Sequence, residues 1–419
     1  MHMNNKKTAS PKLRFAEFAN RGEVSFKNGD VLFEAISDKD HNCDLPVLAI
    51  TQEQGAIPRE MIDYHVFVTD KSLESYKKVE VGDFIISLRS FQGGIEYSSY
   101  QGICSPAYII LRKKENVVNE YYKHYFKSKR FIQDLNRNLE GIRDGKMVSF
   151  EQFSQILIPQ PDTDEQQRIA DCLESIDDLI DTEKNKLNAL QKHKVGLMQK
   201  LFPTRNQTSP VYRFCEFSIS GLWKYVKLSD VADRVISKNR DNSIQRIFTN
   251  SAINGVIEQN KYFEREIVSE NNLSNYSIIE KGDYVYNPRI SMVAPVGPIS
   301  KNKIGKGIIS PLYTVFRFRD DDYDFYEYYF KTTLWHQYIN GKSNMGARHD
   351  RINISTDDFM DMPVPVCPDS NEQERIALFL KSVDELIIKQ GQRVEALNKH
   401  KEGLLQQLFP SLEEVLNER

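Results

Sequence analysis

A 39-residue segment occurs twice in this chain, and that repeat restricts the possible folds more than any other feature. Glu165–Pro203 starts EQQRIADCLESIDDLI and ends ALQKHKVGLMQKLFP; Glu372–Pro410 starts EQERIALFLKSVDELI and ends ALNKHKEGLLQQLFP. At a constant offset of 207 residues, 21 of the 39 positions are identical without a gap. The repeat extends more weakly into the preceding segments. PKLRFAEF at Pro11 answers PVYRFCEF at Pro210, Gly82-Asp83-Phe84 answers Gly282-Asp283-Tyr284, Ser105-Pro106 answers Ser310-Pro311, and Phe126-Lys127 answers Phe330-Lys331. The order is kept while the offset drifts from 199 to 207, so the frame is shared and the loops differ.

The near-identical segments read as long helices. Thr163 and Ser370 stand three residues before Gln166 and Gln373, the spacing of a capping box, and Pro203 and Pro410 close each segment. Apolar residues step by alternating four and three: Ile169, Leu173, Ile176, Ile180, Leu187, Leu190, Leu197 and Leu201 in the first helix. In the second they are Ile376, Leu380, Val383, Ile387, Val394, Leu397, Leu404 and Leu408. This is a coiled-coil seam of about five heptads. Polar residues interrupt both seams at matching points, Glu183 with Gln390 and Lys194 with Lys401. Such residues either fix register and partner number or mark places where the helices part and water enters. Each helix is about 57 Å long at 1.5 Å per residue, more than a globular core needs. Paired antiparallel, two such helices would hold two related domains about a pseudo-two-fold axis.

Each half predicts a mixed α/β domain of short strands. VGDFIISL from Val81 and GDYVYN from Gly282 form one matched pair of strands; ICSPAYIILR and IISPLYTVFRFR form another. One helix is expected at YYKHYFKSKRFIQDL and one at FYEYYFKTTLWHQYI, with the aromatic residues serving as core rather than as a stacking platform for single strands. The predicted divisions are a first globular domain at 1–160, a helix at 161–205, a second domain at 206–366 and a second helix at 367–419.

Composition narrows the class. Hydrophobic residues make up 40% and charged residues 27%, and no apolar run reaches the roughly 20 residues of a membrane span, so a cytoplasmic protein is expected. Cys43, Cys104, Cys172, Cys215 and Cys367 stand singly, without disulfide or zinc spacing. A net charge of −3 leaves nucleic-acid contact to local basic loops. Arg89 and Arg289 follow the matched strands, and Arg143 with Lys146 answers Arg348 with Arg351 in a later loop. Arginine grips guanine O6 and N7, and either basic residue neutralises phosphate, so these six are the candidate contacts to double-stranded DNA; a solvated surface charge is the alternative for each.

Catalytic motifs do not assemble. Asn287-Pro288-Arg289 starts like an NPPY methyltransferase motif but lacks its second proline and aromatic residue. Asp144-Gly145-Lys146 fits a nuclease D-x-K fragment, whereas the matching position reads His349-Asp350-Arg351. His193 and His400 lie singly on the helices, and no phosphate loop, HExxH or GxSxG is present. No catalytic residue, metal ligand or cofactor site is expected in this chain.

Two variable domains, each followed by an EQxRIA…LFP helix after Pro159-Gln160-Pro161 or Pro363-Val364-Pro365, resemble the specificity subunit of type I restriction-modification systems. The resemblance implies two target-recognition domains, each reading part of a bipartite sequence, held by an antiparallel helical separator. It also implies two modification subunits bringing S-adenosylmethionine and two restriction subunits bringing ATP and Mg, with no chemistry in this chain itself. A specificity component of a fused type II system would share this plan, and neighbouring genes would separate the two. A coiled-coil scaffold that reads no DNA is the third possibility, but it gives the divergent loops no purpose.

Overall fold

The structure, a computed structural model, describes residues 7–41, 44–62, 73–137, 148–259, 273–320, 323–345 and 350–412. The chain divides into two compact units, Met1–Lys184 with Gln392–Arg419 and Asn185–Gly391. Each unit therefore contains one globular domain and a part of both long helices. Packing does not follow the linear order of domain, helix, domain, helix.

In the first unit, the strands Phe33–Ile36, Ile109–Lys113, Phe84–Ile86 and Glu96–Tyr97 form an antiparallel sheet in that order. The Gly-Asp turn before Phe84 has a clear cause. Gly82 takes a φ of +96°, which a Cβ would strain, and the Asp83 carboxylate accepts from the backbone of Glu80 at 2.8 Å. The same carboxylate grips Arg112 of the neighbouring strand with two bonds of 2.7 and 2.8 Å. The second unit repeats this device. Gly282 has a φ of +98°, and Asp283 accepts from Glu280 N at 2.7 Å and from Arg317 Nε at 2.6 Å. Its sheet runs Ala232–Arg234, Thr314–Phe318, Tyr284–Tyr286 and Ile299–Lys301, again antiparallel and in the same order.

A second layer differs between the units. In the second unit, Gly255–Glu258, Ile247–Ser251, Gly307–Ile309 and Ser277–Ile279 form one continuous sheet, with the middle pair parallel. In the first, Leu48–Thr51 pairs with Gly55–Pro58, and Lys77–Val79 with Gly102–Cys104; among the described residues a single parallel bridge, Val47 to Ile103, joins the two ribbons. Each Pro-flanked stretch before a long helix is also a strand: Leu157–Gln160 pairs with Val24–Asn28, and Pro363–Val366 with Lys224–Lys227.

The single helix expected in each half is two. Asn119–Tyr125 and Lys129–Arg137 are separated where the Ser128 hydroxyl accepts from Phe131 N and starts a new helix; Phe325–Phe330 and His336–Lys342 break around Thr332. Tyr121, Tyr122, Tyr125 and Phe126 are buried, as are Tyr326, Tyr328, Tyr329 and Phe330. These aromatic residues are core.

The long helices span Thr163–Leu201 and Ser370–Leu408, 39 residues each. The expected capping box is absent, because Thr163 and Ser370 are already helical. The Gln166 side chain instead donates to Asn116 O and Pro161 O and accepts from Val118 N, stitching the helix start to the domain. The repeated RF and EQ motifs explain one another: Arg14 holds Glu165 with two bonds of 2.7 and 2.8 Å, and Arg213 holds Glu372 with two of the same lengths. Arg168 stacks over Phe15 and pairs with Glu17; Arg375 stacks over Phe214 and pairs with Glu216.

None of the twenty seam positions, polar ones included, is exposed. Within the first unit the helices run antiparallel, since Asp177 pairs with Lys401 and, further along, Glu183 pairs with Arg393. The second unit holds the equivalent pair, Lys194 with Asp384. The seam lysines are therefore not simply solvated: each meets an aspartate of the facing helix, the arrangement that fixes register.

Those aspartates also meet the domains, through different residues. Tyr328 donates to Asp384 at 2.9 Å, whereas the matching His124 lies 3.8 Å from Asp177 through Nδ1 and is buried, with Nε2 unpartnered among the described residues. Burial pushes the His124 imidazole down to about 3, and the ammonium groups of Lys401 and Lys123 push the same way. Below about pH 6.5 the unfolded chain takes up a proton that the folded chain refuses until about 3, so stability is lost as pH falls through this window. The expected slope for the first unit is up to about 1.4 kcal/mol per pH unit. His124→Tyr, the residue used by the other half, removes that component. Urea unfolding across pH, with hydrogen exchange to locate the unit, checks this; equal slopes in both proteins would sink the assignment.

Candidate nucleic-acid interface

In each unit the loop after the central strand meets the tip of a hairpin from the second layer. In the first, Arg89 is exposed and begins a short turn of helix, Ser90–Gly93. Ser87 N donates to Ser90 Oγ and Arg89 N to Ser87 Oγ, so the turn is braced by its own hydroxyls. The hairpin tip Gln52-Glu53-Gln54 is exposed, and Gln52 Nε2 reaches Arg89 O at 3.4 Å. Lys127 ties both loops together, donating to Gln52 O, Gly93 O and the buried Glu96 carboxylate. Exposed Leu88 stands beside Arg89.

The second unit builds the same place differently. Asn287 Nδ2 donates to Asn250 O, and Asn250 Nδ2 donates to Val285 O and Pro298 O, which replaces the lysine tie with two buried amides. Gly297, at φ +80°, lets the returning strand pass Asn287: a Cβ would stand 2.1 Å from its carbonyl oxygen. Arg289 forms an isolated antiparallel bridge with Arg351, flanked by bonds from Ile290 N to Asp350 O and from Ile352 N to Pro288 O. Directly opposed residues of an antiparallel pair project from one face, and like charges there repel. Arg351 has Asp350 at 3.9 Å, whereas no described carboxylate pairs with the exposed Arg289. A polyanion laid across this face would relieve the repulsion.

Of the six candidate contacts, the structure thus brings Arg289 and Arg351 together and places Arg89 at the equivalent loop. Arg143, Lys146 and Arg348 lie outside the described residues. The described helix Lys129–Arg137 is tied to the loop of Arg89, since its Asn136 donates to Phe91 O. The hairpin tips Gln52–Gln54 and Ala252–Asn254 were missed in the sequence. Their only signal is a matched glycine, Gly55 against Gly255, after three unlike residues. His193 and His400 are exposed on the helices. Among the described residues no His, Cys, Asp or Glu cluster could hold a metal ion, and no helix is long and apolar enough to cross a membrane.

Two mixed α/β domains of one plan, each carrying an Arg-bearing loop beside a hairpin and each built onto both long helices, define a duplicated domain carried on a helical pair. The profile of the type I restriction modification DNA specificity domain matches twice, over residues 17–192 and 221–399. The chain belongs to that family. It is 27% identical to the type I restriction enzyme MjaVIII specificity subunit of Methanocaldococcus jannaschii, over 81% of each chain. The MjaIX specificity subunit of the same organism is 28% identical over 28% of each chain. A chain from a structure of a type I restriction-modification system, solved for its complex assembly and conformational transition, shares the fold with a TM-score of 0.53 at 17% identity, covering 92% of this chain and 94% of that one.

Proposed function

We propose that each globular domain of this specificity subunit reads one part of a bipartite double-stranded DNA target, while the helical pair sets the unread gap. The observation that carries the reading is the opposed Arg289–Arg351 pair beside the hairpin tip, with Arg89 and its hairpin at the matching place of the other unit. Arginine at such loops neutralises phosphate or takes guanine edges. The chain itself is non-catalytic on this reading. Methyl transfer, translocation and cleavage belong to modification and restriction subunits, two of each, which bring S-adenosylmethionine, ATP and Mg. Leu179 and Leu386, matching residues exposed on the two helices, support a docking face for two copies of one partner. A type I assembly is favoured over the fused type II arrangement because both relatives named above are type I specificity subunits.

The test is to co-express the chain with its neighbouring modification subunit in a methylation-free host and to map N6-methyladenine across the genome. A bipartite motif with a fixed gap, present only with this chain, is the expected result. Methylation without the chain, or without a motif, overturns the reading.

A further inference from the structure

At the hairpin tip the second unit exposes Ile253 where the first exposes Glu53, and the turn beside it is apolar too. Ser291 and Ala294 exchange backbone hydrogen bonds of 3.0 and 3.1 Å, closing a tight turn with Met292 and Val293 at its corners. Met292 is 103% exposed, Val293 67%, and Ile253 81% on the adjacent hairpin; Val293 and Ile253 line one groove. The base of the turn is held fast. Ala294 and Val296 are buried, the Tyr286 hydroxyl donates to Val296 O at 3.0 Å, and Gly297 N bonds to Ala294 O. The turn keeps Met292 and Val293 in water, and the adjacent hairpin keeps Ile253 there, so none of the three serves the core.

The internal repeat supplies the second observation. Counting back from the matched glycine, Ala252, Ile253 and Asn254 answer Gln52, Glu53 and Gln54. The frame is common, but two of the three polar tip residues, Gln52 and Glu53, give way to the apolar Ala252 and Ile253. Two readers of different bases need that kind of difference. Of the groups displayed in the major groove, the thymine 5-methyl is the one alkyl group for an aliphatic side chain to recognise; the others are hydrogen-bond donors or acceptors, apart from the bare C5–H of cytosine.

We propose that Ile253, Met292 and Val293 are specificity-determining residues that read thymine methyl groups in the major groove of the second half-site. Arg289 and Arg351 hold the backbone so that the tip meets the base edges. The proposal rests on the reading of the chain as a DNA specificity subunit and deepens it. An apolar wedge driven between base steps from the minor groove is the competing use of such residues, and it does not depend on the thymine methyl.

The test uses the assembled complex of full-length chain and modification subunit, with duplexes carrying the mapped motif. Each thymine of the second half-site is replaced in turn by deoxyuridine, which removes only the methyl. Binding is expected to fall about fourfold at one or more positions, the partition value of one buried methyl. Replacing all three residues by serine abolishes that sensitivity and leaves binding to the first half-site unchanged. Indifference of the wild-type complex to every substitution overturns the proposal, as does a second half-site without an A·T pair or sensitivity that survives in the variant. In each of these cases a bipartite motif still stands, and the specificity reading with it. A complex with no sequence preference removes both.

Discussion

Phe409→Ala, ten residues from the end of the chain, is expected to destabilise the first unit by about 3–5 kcal/mol, the usual cost of emptying a buried aromatic site. Phe409 is buried against Tyr121 and Tyr125, with edge-on ring contacts at 5.1 and 5.3 Å, in a core that also contains Phe33, Phe84 and Phe153. Leu404 and Leu405 pack against the same cluster and Leu408 lies within it. The last turn of the second helix therefore completes the domain at the opposite end of the sequence. Backbone contact confirms the closure: Leu13 N donates to Gln407 O at 3.0 Å, and its counterpart, Tyr212 N to Lys200 O, is 2.9 Å. Hydrogen exchange resolved by segment reads the result. Protection should fall across residues of the first sheet and stay constant in the second unit. Loss confined to residues 185–391, or to the C-terminal turn alone, would contradict the packing.

Arg213→Met is expected to cost about 3–5 kcal/mol in the second unit, because it strands a carboxylate rather than because it removes attraction. The Glu372 side chain is 0% exposed and that of Arg213 only 12%. The carboxylate also accepts from Trp223 Nε1 at 3.3 Å and from Cys367 Sγ at 3.0 Å, so its charge is held in a site built for it. The Arg213 guanidinium is held charged chiefly by its hydrogen bonds to Glu372. Replacing both partners by apolar residues should recover much of the loss, since the buried charge is then gone. Thermal unfolding of the two single variants and the double variant forms the cycle. A double variant as unstable as the sum of the singles would mean that the two residues act independently.

Much of the architecture was legible because it is written in local periods. The seam from Ile169 to Leu201 and its copy from Ile376 to Leu408 could be read residue by residue, since a helix buries the same face every three to four positions. The Gly-Asp turns were legible because Gly82 and Gly282 need a conformation that few residues adopt. The breaks at Ser128 and Thr332 were not. There a side-chain hydroxyl competes with the helix for backbone groups, and the aromatic period runs on through the interruption.

The candidate contact loops show the same limit more sharply. Arg89 and Arg289 were recognisable from their position after matched strands. The hairpin tips at Gln52–Gln54 and Ala252–Asn254 carry no pattern of their own and become neighbours of those arginines through tertiary contacts, those of Gln52 and Lys127 in one unit and of the Asn250–Asn287 amides in the other.

The sequence by itself determined that two similar mixed α/β domains alternate with two long helices, because duplication and helical period are properties of order along the chain. Only the tertiary structure decided that each domain is completed by both helices and that Phe409 belongs with Tyr121. Burial pairs an apolar surface with whatever surface covers it, and the driving force depends on the area removed from water, not on the distance along the chain.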